Sequence, residues 1–488
     1  LVKKAASSRD KLEFPNTRPS HEETAQMNAT HRAGIQQCHL ISAYAASADA
    51  HAFFNLLTGP ELFDAVELAL PPHRERLLPP TETLSMFLAQ ALSADRSCQR
   101  VVNEGAIKRM VARLTPLQHP YGGLLPRSPT YAHGDGQHFG RGHTGQWLTA
   151  HAPAAWHWRG RPVRLVDGAT VIMPDTEANQ TDFPQPRSQQ PGLGFPQCRL
   201  VGLICLGSGA VLNAAISACR GKGTDEQSLL RLQLDTLARG DVLLGDAFFA
   251  TYFLLCALGE RGVDAVFEQH GSRQRTTDFS LGQRLGERDH LQVLPKPAIK
   301  PDWMSQDDYA QAPTSLTVRE LRAGGKTLLT TLLCPKQTSK DSIKRLYRDR
   351  WHVELDLRNI KTTLGMEQLS CQTPAMAVKE IWVYLLAYNL IRLMMARAAL
   401  LSGCLPRQLS SKHTVQVWLA WAPHAFQGNI TCPDELFALI ARQIVGNRPG
   451  RIEPRAIKRR QNAYPLLTKP RSIARNIVRT QGHPKKLK

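Results

Sequence analysis

Between residues 160 and 268 the chain spells out an order of elements that few folds accommodate. Three apolar runs come first, VRLVDGATVIM, CRLVGLICLG and AVLNAAISA, separated by the turn formers GLGFP and GSG. Runs this closely spaced predict an antiparallel three-strand meander. TDEQSLLRLQLDTLARG then has helical apolar spacing, DVLLGDAFF reads as a short buried strand, TYFLLCALGERG as a second helix and VDAVFEQH as a fifth strand.

Three strands, helix, strand, helix, strand is the order of a ribonuclease-H-like core, an α/β fold built on one mixed sheet. The rest of the chain divides around it. Residues 1–125 read as a helical N-terminal region suited to DNA-end binding. In it, TETLSMFLAQALSADRSCQRVVNEGAIKRMVARL predicts two helices, the first capped by Thr81 or Thr83, with basic residues on the second as in a small DNA-reading module. Residues 126–158 form a Gly-, Pro- and His-rich linker, and 159–270 the first part of the core. Residues 271–336 are a β-rich insertion, in which HLQVLPKP, SLTVRELRA and KTLLTTLLC read as strands. Residues 337–372 return to the core with a helix, 373–446 form a C-terminal helical region, and 447–488 are a basic tail.

The helix at 337–372 carries the densest functional pattern. Its Tyr347, Arg350, Glu354 and Lys361 read Tyr-x2-Arg-x3-Glu-x6-Lys. At about 100° per residue on one helix, the four fall within an arc of about 60°. Leu346, Val353, Leu357, Ile360 and Leu364 occupy the neighbouring arc. That predicts a core-facing stripe with the polar quartet at its rim. A carboxylate flanked by cations at the edge of a core suits a metal ion beside the phosphates of a nucleic-acid backbone.

Two more acids stand at strand ends, Asp167 in VDGAT and Asp246 in VLLGD. Singly, each reads equally as a turn former or helix cap, which is the expectation for Asp175 and Asp241. Jointly with Glu354, in this topological order, they can converge at one sheet edge. Such an all-oxygen set suits Mg²⁺ or Mn²⁺. Two such ions activate a water or 3′-hydroxyl and stabilise the leaving oxygen, with no covalent protein nucleophile. The Walker spacing is absent, so ATP use is not expected. Lys222 in GKGT reads as a turn lysine, with DNA contact as the alternative. The six His between 119 and 157 lack the spacing of a metal site.

With these residues in view, the chain resembles the DDE transposases of insertion-sequence family four, the group with a Tyr-Arg-Glu-Lys signature. The resemblance runs from about Arg161 to Arg471 and includes VDGATVIMPDTEANQTDFPQPRSQQPGLGFP, GKGTDEQSLLRLQLDTL, DVLLGDAFFATYFL and YRDRWHVELDLRNIKTTLGMEQLSCQTP. It implies that Asp167, Asp246 and Glu354 are the metal-binding triad, and that Tyr347, Arg350 and Lys361 hold the phosphates of transposon-end DNA. It also implies Mg²⁺ or Mn²⁺ as cofactor, a homodimer acting on paired inverted repeats, and cut-and-paste transposition through a hairpin intermediate. A β-rich insertion between the second and third acids is a family trait. Trp303, the only Trp in it, is either a base-stacking residue, as in one relative, or a packing residue. Two departures stand out. Ala247 follows the second acid where relatives often carry Arg, and residues 126–145 do not follow the family pattern. They keep open a catalytically impaired relative that only occupies DNA ends. A structure-specific nuclease of the same fold is a further alternative.

Charge points the same way. The formal net charge is +20, and residues 447–488 hold 13 Lys or Arg against one acid, an excess that suits a polyanion. A solubilising tail is the bland alternative. An acidic membrane is disfavoured, because the tail shows no amphipathic apolar face. The ten Cys form no Cys-x2-Cys pair, which predicts free thiols in a reducing cytoplasm, here with the protein at the bacterial nucleoid. The first residues contain no apolar signal-peptide core, and the missing initiator Met fits truncation or an alternative start codon. IWVYLLAYNLIRLMMARAALL is interrupted by Asn389, Arg392 and Arg397, which predicts a buried helix and not a membrane span.

Overall fold

The computed structural model describes residues 80–93, 98–111, 149, 152–271, 277–425, 433–445 and 468–482. Expectations for residues 1–79, for most of the linker and its histidines, and for most of the basic tail lie outside them. In chain order the elements used below are α1 (Pro80–Leu92), α2 (Cys98–Val111), β1 (Val163–Ile172), α3 (Glu177–Asp182), β2 (Gln197–Cys205), β3 (Val211–Ala218) and α4 (Glu226–Arg231). They continue as β4 (Val242–Gly245), α5 (Tyr252–Glu260), β5 (Asp264–Glu268), β6 (Gln283–Gly286), β7 (Asp289–Pro295), α6 (Gln306–Gln311), β8 (Ser315–Ala323) and β9 (Lys326–Thr330). The chain then forms α7 (Lys340–Arg348), α8 (Trp351–Arg358), α9 (Pro374–Ser402), α10 (Ser411–Ala425), α11 (Pro433–Ala441) and α12 (Arg471–Gln481).

All nine strands join one sheet in the order β3-β2-β1-β4-β5-β9-β8-β7-β6. The first five reproduce the ribonuclease-H-like arrangement: β1 is antiparallel to β2 and parallel to β4, and β4 is parallel to β5. The insertion departs from expectation in one respect. It has the three predicted strands plus β6, which was not predicted, and it does not stand apart as a module. β9 pairs antiparallel with β5, so the insertion lengthens the core sheet. The reason is edge closure: β5 would otherwise offer unpaired backbone donors and acceptors. Within the insertion, a buried Arg319–Asp289 ion pair (2.7 Å from Nε) also ties β8 to β7, and Arg319 Nη1 donates to the Thr338 carbonyl at 2.7 Å.

The sheet is covered on both faces. On one lie α1, α7, α8 and the long α9, packed on Val163, Leu165, Val171 and Leu200. On the other lie α4 and α5, packed on Val166, Val201, Leu243 and Phe267. Since strand side chains alternate, Asp167 shares the face of Leu165 and therefore looks toward α8. α1 belongs to the same core as α9, so this helix of the N-terminal region is built into the body of the sheet. Pro80 itself opens that helix, as suits a residue without an N–H.

α9 contains the apolar run, and it is a core helix as expected. Thr373 and Pro374 start it, and Gly403, at φ 63°, ends it in the left-handed region. Its polar residues plug the free edge of β3: the Asn389 side chain exchanges hydrogen bonds with Val211 N and O (2.8 and 2.9 Å), and Arg392 Nε donates to the Ser208 carbonyl at 2.8 Å. Satisfied this way, they stay buried without the penalty of an unpaired polar group.

Two smaller expectations are corrected. Asp241 is more than a turn former: it is almost fully buried and pairs with Arg164 Nε at 2.9 Å across β1 and the start of β4. The tail does contain an amphipathic helix, α12, with Arg471, Arg475 and Arg479 on one side and Ile473 and Ile477 on the other. Arg471 sits over the Phe195 ring and 3.6 Å from Asp175.

Candidate active site

The pairing of β1 with β4 fixes the first two acids: Asp167 stands midway along β1, not at a strand end as expected, and Asp246 just past the end of β4. These strands run parallel with Leu165 opposite Leu244, and Asp167 and Asp246 each lie two residues further on, at the same edge. Asp167 Oδ1 accepts from the Gly168 N–H at 2.8 Å. Burial holds its carboxyl above the ordinary range, opposed by the Gly168 N–H and Arg350 and reinforced by the charges of Asp246 and Glu354. The three acids therefore feel one another. Asp246 caps a short 3-10 turn over Ala247–Phe249, its Oδ1 accepting from Phe248 N at 2.8 Å. It is thus a cap that stands at the same sheet edge as Asp167.

The third acid comes from a track that is not the single straight helix the spacing suggested. Asp349 N, Arg350 N, His352 N and Val353 N all donate to the carbonyl three residues back, at 3.0–3.1 Å, an overwound step between α7 and α8. Residues Asn359–Thr363 then form a π turn, which underwinds. Leu346, Val353, Leu357, Ile360 and Leu364 are buried as expected. The overwound step corrects the position of Tyr347, which lies in the core and not at its rim. Its ring is 8% exposed and its hydroxyl donates to the Gly245 carbonyl at 3.2 Å, beside Asp246. Burial pushes its phenol well above the usual range.

Arg350 joins the helix to the sheet. Its Nη2 is 2.7 Å from Glu354 Oε1 and its Nη1 3.6 Å from Asp167 Oδ2. An open cavity of about 490 Å³ adjoins this bridge, lined by Asp167, Arg199, Glu226, Glu354 and Lys361 among others. Asp246 does not line it, because the cavity opens on the β2 side of Asp167 and β4 lies on the other. Lys361, in the π turn, faces the cavity and forms no ion pair among the described residues. Trp303 is placed elsewhere. Its ring is about half exposed, with the Arg231 guanidinium 3.9 Å from its centroid and the edge of Phe253 against it. Arg231 ends the helix that Glu226 begins. Lys222 pairs at the surface with Asp302, 3.1 Å away.

Residues 158–390 match the family described as Transposase DDE domain. Over 329 residues, 64% of this chain and 71% of the other, the sequence is 28% identical to the transposase InsG of insertion sequence element IS4 from Escherichia coli (strain K12). Residues 158–390 carry a DDE transposase domain, and the chain is similar to the transposases of insertion-sequence family four. As such it is a DNA-acting polynucleotidyl transferase and endonuclease, and DDE domains of this kind use divalent metal ions. A looser likeness, at 9% identity and a TM-score of 0.41 over 90% of this chain and 91% of the other, is to the piggyBac transposase synaptic complex with hairpin DNA; it is too distant to carry an argument.

The transposase's donor set suits such an ion. It consists only of carboxylate oxygens, hard ligands that Mg²⁺ and Mn²⁺ prefer, and their mutual repulsion is what a dication relieves. Among the described residues no three acids are drawn close enough to cage an ion as they stand; Arg350 bridges two of them instead. Two acids of the cavity were missed from sequence, Glu367 and, next to Asp167, Glu226. Burial raises the Glu226 carboxyl, with the charges of Asp167 and Asp246 adding to the effect.

Proposed function

We propose that Asp167, Asp246 and Glu354 hold Mg²⁺, as two ions, and that the transposase uses them to excise an insertion sequence from duplex DNA and join it to a target. When bound, the ions supply a Lewis acid for activating water or a 3′-hydroxyl and for stabilising the leaving oxygen. The observation that carries the reading is the meeting of Asp167 and Glu354 on one guanidinium, from two elements 187 residues apart, with Asp246 at the same sheet edge.

Arg350 neutralises the two acids it bridges. On DNA its planar fork turns to a phosphate, for which it is well matched, and leaves the carboxylates to the ions. Lys361 binds a second phosphate from the cavity side. Tyr347 holds the end of β4, and with it Asp246, through the Gly245 carbonyl. To bind a phosphate as well, the hydroxyl would have to turn its one proton away from that carbonyl. Two subunits act on paired inverted repeats: a nick frees a 3′-hydroxyl, which attacks the opposite strand to give a hairpin that is reopened before strand transfer. The test is nicking of a duplex bearing the element's own terminal repeat. Asp167→Ala, Asp246→Ala and Glu354→Ala should each bind that duplex without cutting it. Cutting by any of them at the wild-type rate would remove that residue from the triad.

A further inference from the structure

A fourth carboxylate, that of Glu226, stands beside the triad, and its position is constrained from three sides. Asp225 caps α4, its Oδ1 accepting from Ser228 N at 3.0 Å, which makes Glu226 the first residue of the helix. Gln227 is tied to the turn that follows Asp246: it donates to the Phe248 carbonyl and accepts from Thr251 Oγ1 at 3.0 Å. Arg199, on β2, holds the approach to the helix by donating to the Thr224 carbonyl at 2.6 Å. The carboxylate of Glu226 lies directly over Gly168, the neighbour of Asp167. A Cβ at 168 would come within 2.3 Å of Glu226 Oε1, so a side chain there would displace this carboxylate.

An acid at the first position of a helix is often only a partner for the helix dipole. That role is satisfied by a side chain turned to solvent. Glu226 is instead half-buried, lines the cavity of Asp167 and Glu354, and accepts no hydrogen bond among the described residues. Its carboxylate is held in the site with the Arg199 charge nearby and no hydrogen-bond donor among the described residues.

We propose that Glu226 is a fourth carboxylate of the divalent-cation site, ligating together with Asp167 one of the ions that the triad holds, an inference that rests on the triad reading above. The test uses the full chain and Mn²⁺ as probe, with free Mn²⁺ followed by its electron paramagnetic resonance signal. Asp167→Asn and Glu354→Gln serve as references. Glu226→Gln should weaken Mn²⁺ binding by about tenfold or more, the scale seen when groups supporting a metal site are removed. Its melting temperature in chelator should be unchanged or higher, since a like charge has been removed. If Glu226→Gln binds Mn²⁺ as the wild type does while both references bind weakly, the inference fails and the triad reading survives. If both references also bind as the wild type does, the triad reading fails and takes the inference with it.

Discussion

Replacing Arg350 with Ala should weaken the metal-free protein and strengthen its hold on metal. The Arg350 side chain is only 13% exposed and is shared between Glu354 at 2.7 Å and Asp167 at 3.6 Å. Removing one partner of a buried pair costs about 3–5 kcal/mol, because the other charge is left stranded. Glu354 keeps 35% of its side chain in contact with solvent, so water compensates part of that, and about 1–3 kcal/mol is the reasoned loss. The pH dependence follows from Asp167. Burial raises its folded pKa above the ordinary 3.8, so its stabilising proton is fully bound below that value and lost as pH rises through the folded one. Removing Arg350 raises it further. The deficit should therefore be greatest at neutral pH and should close on acidification toward the unfolded value. Saturating Mn²⁺ should also close it, because the ion replaces the missing cation and stabilises the folded state by mass action. Thermal melts of wild type and Arg350→Ala, at pH 7 and pH 4, in chelator and in Mn²⁺, measure all three effects. A variant that melts with the wild type in chelator, or whose deficit is the same in Mn²⁺, refutes the reasoning.

Tyr347→Phe keeps the buried ring and removes one 3.2 Å hydrogen bond; it should cost about 0.5–1.5 kcal/mol in urea unfolding, and a much larger fall in nicking would reveal a DNA contact of the hydroxyl. His352 is held neutral, its pKa pushed down to about 4 by burial and by the Arg407 charge. Its contribution is thus full above the unfolded value of 6.5 and is lost as pH falls toward 4, by at most about 3 kcal/mol. His352→Gln should flatten that part of the stability profile, seen in urea melts at pH 7 and 4.5. Trp303→Ala should weaken end-DNA binding by about 1–3 kcal/mol if the ring exchanges Arg231 for a base; unchanged binding by gel shift would leave it a packing residue.

The strand order and the positions of Asp167 and Asp246 at one sheet edge were readable because both depend on local pattern: short apolar runs with turns between them, and an Asp within one run and just after another. What escaped the sequence depends on distance or on cancellation. The pairing of β5 with β9 joins segments more than 50 residues apart, and no periodicity reports it. The break between α7 and α8 overwinds the chain and the π turn underwinds it, so the average phase, and with it the buried stripe, came out right. Tyr347, next to the overwound step, did not. Glu226 was overlooked because an acid opening a helix has an ordinary explanation, and only its closeness to Gly168 singles it out. The amphipathic face of α12 is short enough to be lost among the tail's thirteen basic residues.

The account rests on one carboxylate set holding divalent ions for DNA cleavage. The most direct measurement compares wild type and Glu354→Gln on a duplex carrying the element's terminal repeat, with Mg²⁺, scoring nicks at the repeat boundary and binding by gel shift in the same samples. The predicted result is nicking by the wild type, dependent on Mg²⁺, and binding without nicking by Glu354→Gln. Nicking by Glu354→Gln at the wild-type rate would contradict it.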